Sequence, residues 1–176
     1  MRRTRARQAG LAILALAALL PTTSCASSSK SSARSSECAA RDIPSAAKCF
    51  ASRVEIGQRI GTIDAPAIGV EAPINDGTDP SALARGTGRY QQSSFPGLGK
   101  VVAIAGHRTT FGAAFRHIDA LRQGNKVVLT MLYGTFTYRV FAHEIVSAND
   151  WSILRRRPFE TLVLSSCHSL YSEWHR

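Results

Sequence analysis

The sequence contains few acidic residues and few aromatic ones. Twelve Asp and Glu stand against 22 Lys and Arg, giving a formal charge of +10, and no acid precedes Glu37. The positive charges are scattered instead of forming a stripe with aromatic residues, and no nucleic-acid-binding module signature is present. We therefore expect a solvated basic surface and no nucleic-acid partner. Weak attraction to an anionic cell wall or membrane surface is the functional alternative.

Metal-ligand patterns are also absent from the sequence. The acids are scattered, and no pair of histidines has the spacing of zinc ligands. We expect no metal site and no cofactor. The length of 176 residues allows one domain of ordinary size.

The N-terminal apolar run is short. Residues 9–20 are apolar, whereas a membrane-spanning helix needs about 20 such residues. The run follows basic residues and precedes a small-residue stretch ending in Cys25, so residues 1–25 are predicted to be a secretory signal peptide. The stretch also resembles a bacterial lipoprotein signal, in which Cys25 would be lipidated; plain cleavage and an uncleaved anchor are the alternatives. All three place the body of the protein outside the cytoplasm, secreted or at the cell membrane or cell wall surface.

Residues 26–52 are Ser-rich and polar and are predicted to form a flexible tether, because they bury too little apolar surface to offset the entropy of ordering. Export favours a disulfide between Cys38 and Cys49, which would contribute about 2–3 kcal/mol in the chain-entropy model. Two incidental thiols are the alternative. If Cys25 carries lipid and Cys38 pairs with Cys49, then Cys167 is the odd thiol among four cysteines.

Residues 53–176 are predicted to form one mainly β domain. About seven short strands with one or two helical turns favour a compact β-barrel or sandwich. The individual predictions are two strands within 60–70 broken by Pro66, loops at 75–80 and 86–90, a helical turn at 81–84, a short helix over 111–121, a hairpin over 126–141 and a strand at 161–166.

Two of the predicted buried strands end in residues that carry chemistry. One apolar run ends in Ser165-Ser166-Cys167, and another ends at His107. A cysteine thiolate is a nucleophile, a histidine can protonate a leaving amine, and an arginine can stabilise an oxyanion. These three residue types are sufficient for acyl transfer.

Among five histidines, His107 is favoured as the partner of Cys167 because it closes a buried strand and is followed by polar residues. The neighbouring His168 would point to the opposite face if its strand continued. A structural histidine and an inert core cysteine are the alternatives to this catalytic interpretation.

From about residue 60 to residue 176 the chain resembles the sortases, most closely the class E sortases of actinobacteria. The most specific stretch is Ala105-Gly106-His107-Arg108-Thr109-Thr110-Phe111-Gly112. The others are residues 61–70, Gly86-Thr87-Gly88-Arg89-Tyr90, residues 121–125, residues 137–140, and Leu162-Val163-Leu164-Ser165-Ser166-Cys167-His168 with Arg176 nine residues beyond the cysteine.

The resemblance implies a closed β-barrel of eight strands and a cysteine transpeptidase, related in chemistry to thiol proteases and other hydrolases. Such an enzyme cuts a Leu-Ala-x-Thr-Gly sorting signal between Thr and Gly and transfers the acyl group to a cell-wall precursor or pilin amine. Its partners would be surface proteins bearing that signal. By matched position, Cys167 is the nucleophile, His107 the acid and base, and Arg176 steadies the substrate and the oxyanion. Ser166, Thr109 and Thr110 are the candidate substrate-binding residues.

Three features depart from the family pattern. Ser165-Ser166 replaces a hydroxyl pair that usually contains Thr, and Ser169 stands where Pro often follows Cys-His. The family continues past its arginine with a final strand, so a chain ending at Arg176 is predicted to lack that strand and to be C-terminally truncated. A catalytically silent sortase-fold binding module and an exported thiol hydrolase are therefore kept as alternatives.

Overall fold

The computed structural model describes residues 42–147 and 150–166, and within them seven strands form one sheet. The strands are β1 (Arg59–Ala65), β2 (Val70–Asp76), β3 (Thr87–Arg89), β4 (Val101–Gly106), β5 (Lys126–Met131), β6 (Gly134–Arg139) and β7 (Thr161–Ser165). Two α-helices, α1 (Ile43–Ala51) and α2 (Pro80–Ala84), and three 3-10 turns (Pro66–Ile68, Ile118–Ala120 and Trp151–Leu154) complete the described elements. None of the helices in these ranges is long and apolar enough to cross a membrane.

The sheet has the order β6-β5-β1-β2-β3-β4-β7 and curls into a nearly closed barrel. The pairs β2–β3 and β4–β7 are parallel, and the other neighbours are antiparallel. The two outermost strands are connected by side chains, because Tyr138 of β6 donates a hydrogen bond of 2.7 Å to Oε1 of Glu160, directly before β7. The predicted mainly β barrel with short helices is confirmed. The predicted loss of a final strand concerns residues outside the described ranges.

Glu160 also fixes the loop that precedes β4. Its carboxylate accepts hydrogen bonds from the backbone N–H groups of Gly97 and Gly99, at 2.9 and 2.8 Å. Burial, and then the hydrogen bond and charge of Glu160, raise the pKa of Tyr138 far above its usual range. The tyrosine therefore stays a hydrogen-bond donor, and one carboxylate joins the loop, β6 and the start of β7.

Helix α1 corrects the predicted extent of the tether. Asp42 caps the helix by accepting a hydrogen bond from Ser45 N at 3.2 Å, and Ala46, Ala47 and Phe50 are buried against the barrel. A flexible tether through residue 52 is therefore wrong for Ile43–Ala51, because this short helix buries an apolar face despite its polar surroundings in the sequence.

Cys49 lies on α1 and is disulfide-bonded. The other three cysteines, Cys25, Cys38 and Cys167, lie outside the described residues, and so therefore does the partner of Cys49. The pairing of Cys38 with Cys49 therefore stays a prediction.

Two other local predictions are wrong. The segment 111–121 forms turns and the 3-10 turn Ile118–Ala120 instead of a helix, because Phe111, Gly112 and Ala113 all have positive φ. Part of the predicted loop 86–90 is strand β3, paired in parallel with β2. This three-residue strand is too short to show apolar alternation in the sequence.

Candidate active site

Strands β4 and β7 bring two of the predicted strand ends together. Their parallel register runs from Val101 opposite Thr161 to Ala105 opposite Ser165. Because parallel strands end at the same edge of a sheet, the chain leaves β4 at His107 and leaves β7 at Ser166 on one edge. The site residues Cys167 and Arg176 follow Ser166 in the sequence and lie outside the described residues.

His107 has a buried nitrogen with no hydrogen-bond partner among residues 42–147 and 150–166. This atom is Nε2. The Oγ atom of Ser166 is likewise buried and has no hydrogen-bond partner among these residues. A buried polar atom without a partner costs about 1–3 kcal/mol, and few occur in native proteins. Two such atoms at the ends of paired strands mark this edge as a place where a further polar group is accommodated.

Gly106 and Phe115 fix the backbone at His107. A Cβ at Gly106 would lie 2.6 Å from Cδ2 of Phe115, a distance that real Cβ contacts do not reach. Phe115 is fully buried, and its backbone N–H donates to the carbonyl oxygen of His107 at 2.9 Å. Glycine at position 106 therefore lets the loop after His107 return closely onto the end of β4.

Arg108 braces the same loop from inside the protein. It is only 6% exposed, and its Nη2 lies 2.7 Å from Oδ2 of Asp119. Its Nε also donates to the carbonyl oxygen of Arg116 at 3.4 Å. Partial desolvation raises the pKa of Asp119, but the positive charge of Arg108 and hydrogen bonds outweigh that effect and lower it overall. This brace was missed from sequence, where Arg108 read only as a polar residue after His107.

Tyr90 connects β3 to β7 across β4. Its hydroxyl shares a hydrogen bond of 3.0 Å with Oγ of Ser165, and its N–H donates to Ala103 O at 2.9 Å. The ring of Trp151 meets the Tyr90 ring edge to face, with centroids 6.3 Å apart. The two serines before Cys167 therefore differ: Ser165 is engaged by Tyr90, whereas Ser166 has no hydroxyl partner among the described residues.

The remaining predicted residues lie where they could meet a ligand or solvent. Thr109 and Thr110 are exposed in the loop that follows His107, and no contact in the described chain assigns them a role. His117 and His143 are exposed. No group of three or more potential metal ligands occurs within residues 42–147 and 150–166.

Comparison with characterised proteins shows what the chain is similar to. It is 36% identical over 115 residues to Sortase D of Bacillus subtilis (strain 168), covering 65% of this chain and 57% of that relative. It is 25% identical over 130 residues to Sortase A of Bacillus anthracis, covering 73% and 61% of the two chains. The chain thus spans about three fifths of the length of these relatives.

Solved structures show the same similarity in three dimensions. A Clostridium perfringens Sortase D5 transpeptidase has a TM-score of 0.63 and 27% identity, covering 70% of this chain and 78% of that one. Sortase E from Streptomyces avermitilis has a TM-score of 0.58 and 28% identity, covering 64% and 82%.

The structural neighbours include both a sortase D and a sortase E, so the assignment to class E stays a prediction. The family model described as Sortase domain matches residues 63–176, which include the His107 edge and every candidate catalytic position. This chain belongs to the sortase family.

Proposed function

We propose that this chain is a cysteine transpeptidase that cuts a sorting signal between Thr and Gly and transfers the acyl group to an amine. The observation that carries the proposal is the unpartnered, buried Nε2 of His107 at the edge where β4 and β7 end. A histidine nitrogen reserved in this way is suited to exchange a proton with a substrate or a nucleophile. Family membership supports the same chemistry.

The reaction would proceed in two acyl transfers. The thiolate of Cys167 attacks the carbonyl carbon of the substrate Thr, and His107 protonates the departing Gly amine as the Thr–Gly bond breaks. The acceptor amine then attacks the thioacyl carbon, His107 takes the amine proton, and the Cys167 sulfur is released as the thiolate with which the cycle began. Arg176 would steady the substrate and the oxyanion in both steps, and the hydroxyl of Ser166 would contact the substrate.

The finer assignments follow from the sequence and belong to the same proposal. The substrate would be an exported surface protein with a Leu-Ala-x-Thr-Gly signal, and the acceptor would be a cell-wall or pilin amine. The signal-like residues 1–25 favour a location outside the cytoplasm, with membrane contact through the N-terminus and with Cys25 as the lipidation candidate. Thr109 and Thr110, exposed beside His107, are proposed to contact the peptide.

The experiment incubates the full chain with a Leu-Ala-x-Thr-Gly peptide and an amine acceptor, and identifies products by mass spectrometry. A Leu-Pro-x-Thr-Gly peptide is assayed in parallel, because the similarity to Sortase D and sortase E leaves the second residue of the signal open. We expect a peptide–amine product from the wild-type chain and none from Cys167→Ala or His107→Ala. His143→Ala is the matched control, since this histidine is exposed and distant from the site in sequence.

Each other result identifies an alternative. If the peptide is only hydrolysed and the acceptor amine, although present, is not consumed, the protein is a thiol hydrolase. No product from a chain with a folded far-UV spectrum would indicate a silent binding module. An unchanged product yield in His107→Ala would contradict the assignment of the acid and base.

A further inference from the structure

We propose that Phe111 is a positioning residue that holds the imidazole of His107 in the orientation required for proton transfer. The inference rests on the proposed function of His107. It starts from Phe111 itself, an aromatic residue that the structure leaves 64% exposed.

The first observation is the contact between the two rings. The centroids of the His107 and Phe111 rings lie 5.3 Å apart, with an angle of 39° between the planes. This separation is within the range of favourable aromatic pairs. Phe111 therefore lies against the imidazole, while Nε2 has no hydrogen-bond partner in the described chain that would fix the ring.

The second observation is the backbone that presents Phe111. Phe111 has φ +49° and Ala113 has φ +47°, and the two residues flank Gly112 at +77°. Among the described residues, Phe111 and Ala113 are the only non-glycine positions with positive φ. Both lie within six residues of His107. Strained backbone of this kind persists only where the surrounding structure enforces it, and it concentrates at functional sites.

The third observation is that the loop is fastened on both sides of the strained residues. Ala113 N donates to Thr110 O at 2.8 Å, and Phe115 N donates to His107 O at 2.9 Å. The buried guanidinium of Arg108 contacts Asp119 at 2.7 Å and so holds the start of the loop against its end. A loop secured in this way fixes the position of its one exposed aromatic side chain.

The arrangement is costly unless Phe111 has a role outside packing. An exposed phenyl ring contributes little hydrophobic stabilisation, and its backbone is strained. What the geometry provides is a fixed surface beside a histidine that must point its nitrogen at a reacting atom. Small errors in such placement reduce rates strongly.

Phe111→Leu tests the inference, because leucine keeps an apolar side chain and the same backbone strain but removes the ring. We expect kcat for transpeptidation to fall by about ten- to a hundredfold with KM nearly unchanged. Phe111→Tyr keeps the ring and should therefore retain the wild-type kcat. Phe159→Leu is the matched control, since Phe159 is 58% exposed and its ring contacts Phe141 instead of a histidine.

A second measurement does not depend on turnover. The ring protons of His107, assigned by their loss in His107→Ala, should show a ring-current shift in the NMR spectrum of the full chain. We expect this shift to change in Phe111→Leu and to be retained in Phe111→Tyr and Phe159→Leu. The wild-type chain, Phe111→Leu, Phe111→Tyr and Phe159→Leu should have similar melting temperatures, because an exposed ring adds little to stability.

The two measurements separate this inference from the proposed function. A wild-type chain without transpeptidase activity would contradict the proposed function, and the His107 signals would still decide whether the Phe111 ring lies against the imidazole. Unchanged His107 signals in Phe111→Leu would overturn the inference. So would a raised KM with unchanged kcat, since Phe111 would then contact the substrate instead of orienting the histidine.

Discussion

Arg89 lies on β3 and His107 directly follows the neighbouring strand β4, and the hydrogen-bonding groups of these two polar side chains differ in whether they have partners. Arg89 is 5% exposed, and its Nε and Nη2 atoms contact Asp76 while Nη1 donates to the carbonyl oxygens of Tyr90 and Ser93. Its guanidinium carbon also lies 4.0 Å from the centroid of the Phe95 ring. Every nitrogen of this side chain has a partner.

His107 lies three residues beyond the position that pairs with Arg89, and its buried nitrogen has no such partner among the described residues. The difference separates structural from functional burial. A buried cation with all its hydrogen bonds made stabilises one packing arrangement. A buried polar atom without a hydrogen bond lowers the stability of the fold, and such an atom is typical of a site where another molecule makes the missing bond. The predictions below test whether stability and activity divide between the two residues in this way.

The largest effect is expected at the unpartnered residue, in activity. His107→Ala should lower kcat/KM for transpeptidation by about 10²–10⁴-fold, the range for loss of a general acid or base. The free energy of unfolding should change by only about 1 kcal/mol or less, because no hydrogen bond of Nε2 is lost. Steady-state kinetics and urea denaturation of the same preparation measure both values. A large loss of stability would place His107 with Arg89 as a structural residue.

The next effect is expected at the satisfied pair, in stability. Asp76→Ala leaves the Arg89 guanidinium buried without its carboxylate, which should lower the free energy of unfolding by about 3–5 kcal/mol. Asp64→Ala is the control, because Asp64 is an exposed strand residue. Urea unfolding followed by far-UV circular dichroism measures the difference. A loss as small as that of the control would show that the ion pair is not a structural element.

A smaller effect on stability is expected where a tyrosine hydroxyl makes a single side-chain hydrogen bond. Tyr90→Phe removes the hydrogen bond to Ser165 and should lower the free energy of unfolding by about 1 kcal/mol. Tyr138→Phe removes a hydrogen bond to the Glu160 carboxylate and should cost more, about 1.5–3 kcal/mol. Urea unfolding of the two variants under the same conditions compares the free energy lost with a neutral acceptor to that lost with a charged one. The reverse order would contradict the role given to Glu160 in joining the edges of the barrel.

The smallest effect concerns pH and the brace behind His107. The pKa of Asp119 is lowered in the folded state, so its ionised form stabilises the fold above the ordinary carboxyl pKa and loses this contribution as pH falls through the folded pKa. Asp119→Asn should therefore be less stable than wild type near neutral pH, and the two should converge in acid. Thermal melts between pH 2 and pH 7, the range around the carboxyl pKa, measure this convergence, and a constant difference would exclude the charge of Asp119 as its cause.

The sequence was sufficient to find the strand ends but not the contacts between them. The run ending at His107 predicted β4 because all its residues are apolar or small, and the structure buries every one. The parallel pairing of β4 with β7 depends on which strands become neighbours, and a single sequence does not encode that locally.

The errors have a common physical cause. The spacing of Phe111, Phe115, Ile118 and Leu121 is helical. Positive φ at Phe111 and Ala113 instead turns the first ring outward. Helix α1 follows a Ser-rich stretch, and its stability comes from burying Phe50 against Phe95 and Tyr133. In both cases tertiary contacts outweighed the local pattern.

The parallel ladder between β4 and β7 also has a kinetic consequence. Ala105 and Ser165 are paired across 60 positions of sequence, with the β5–β6 hairpin between them. Closing so long a loop carries an entropic cost that local contacts do not repay until neighbouring strands are in place. The edge that carries His107 should therefore assemble late in folding, and its formation would report when the whole barrel has become native.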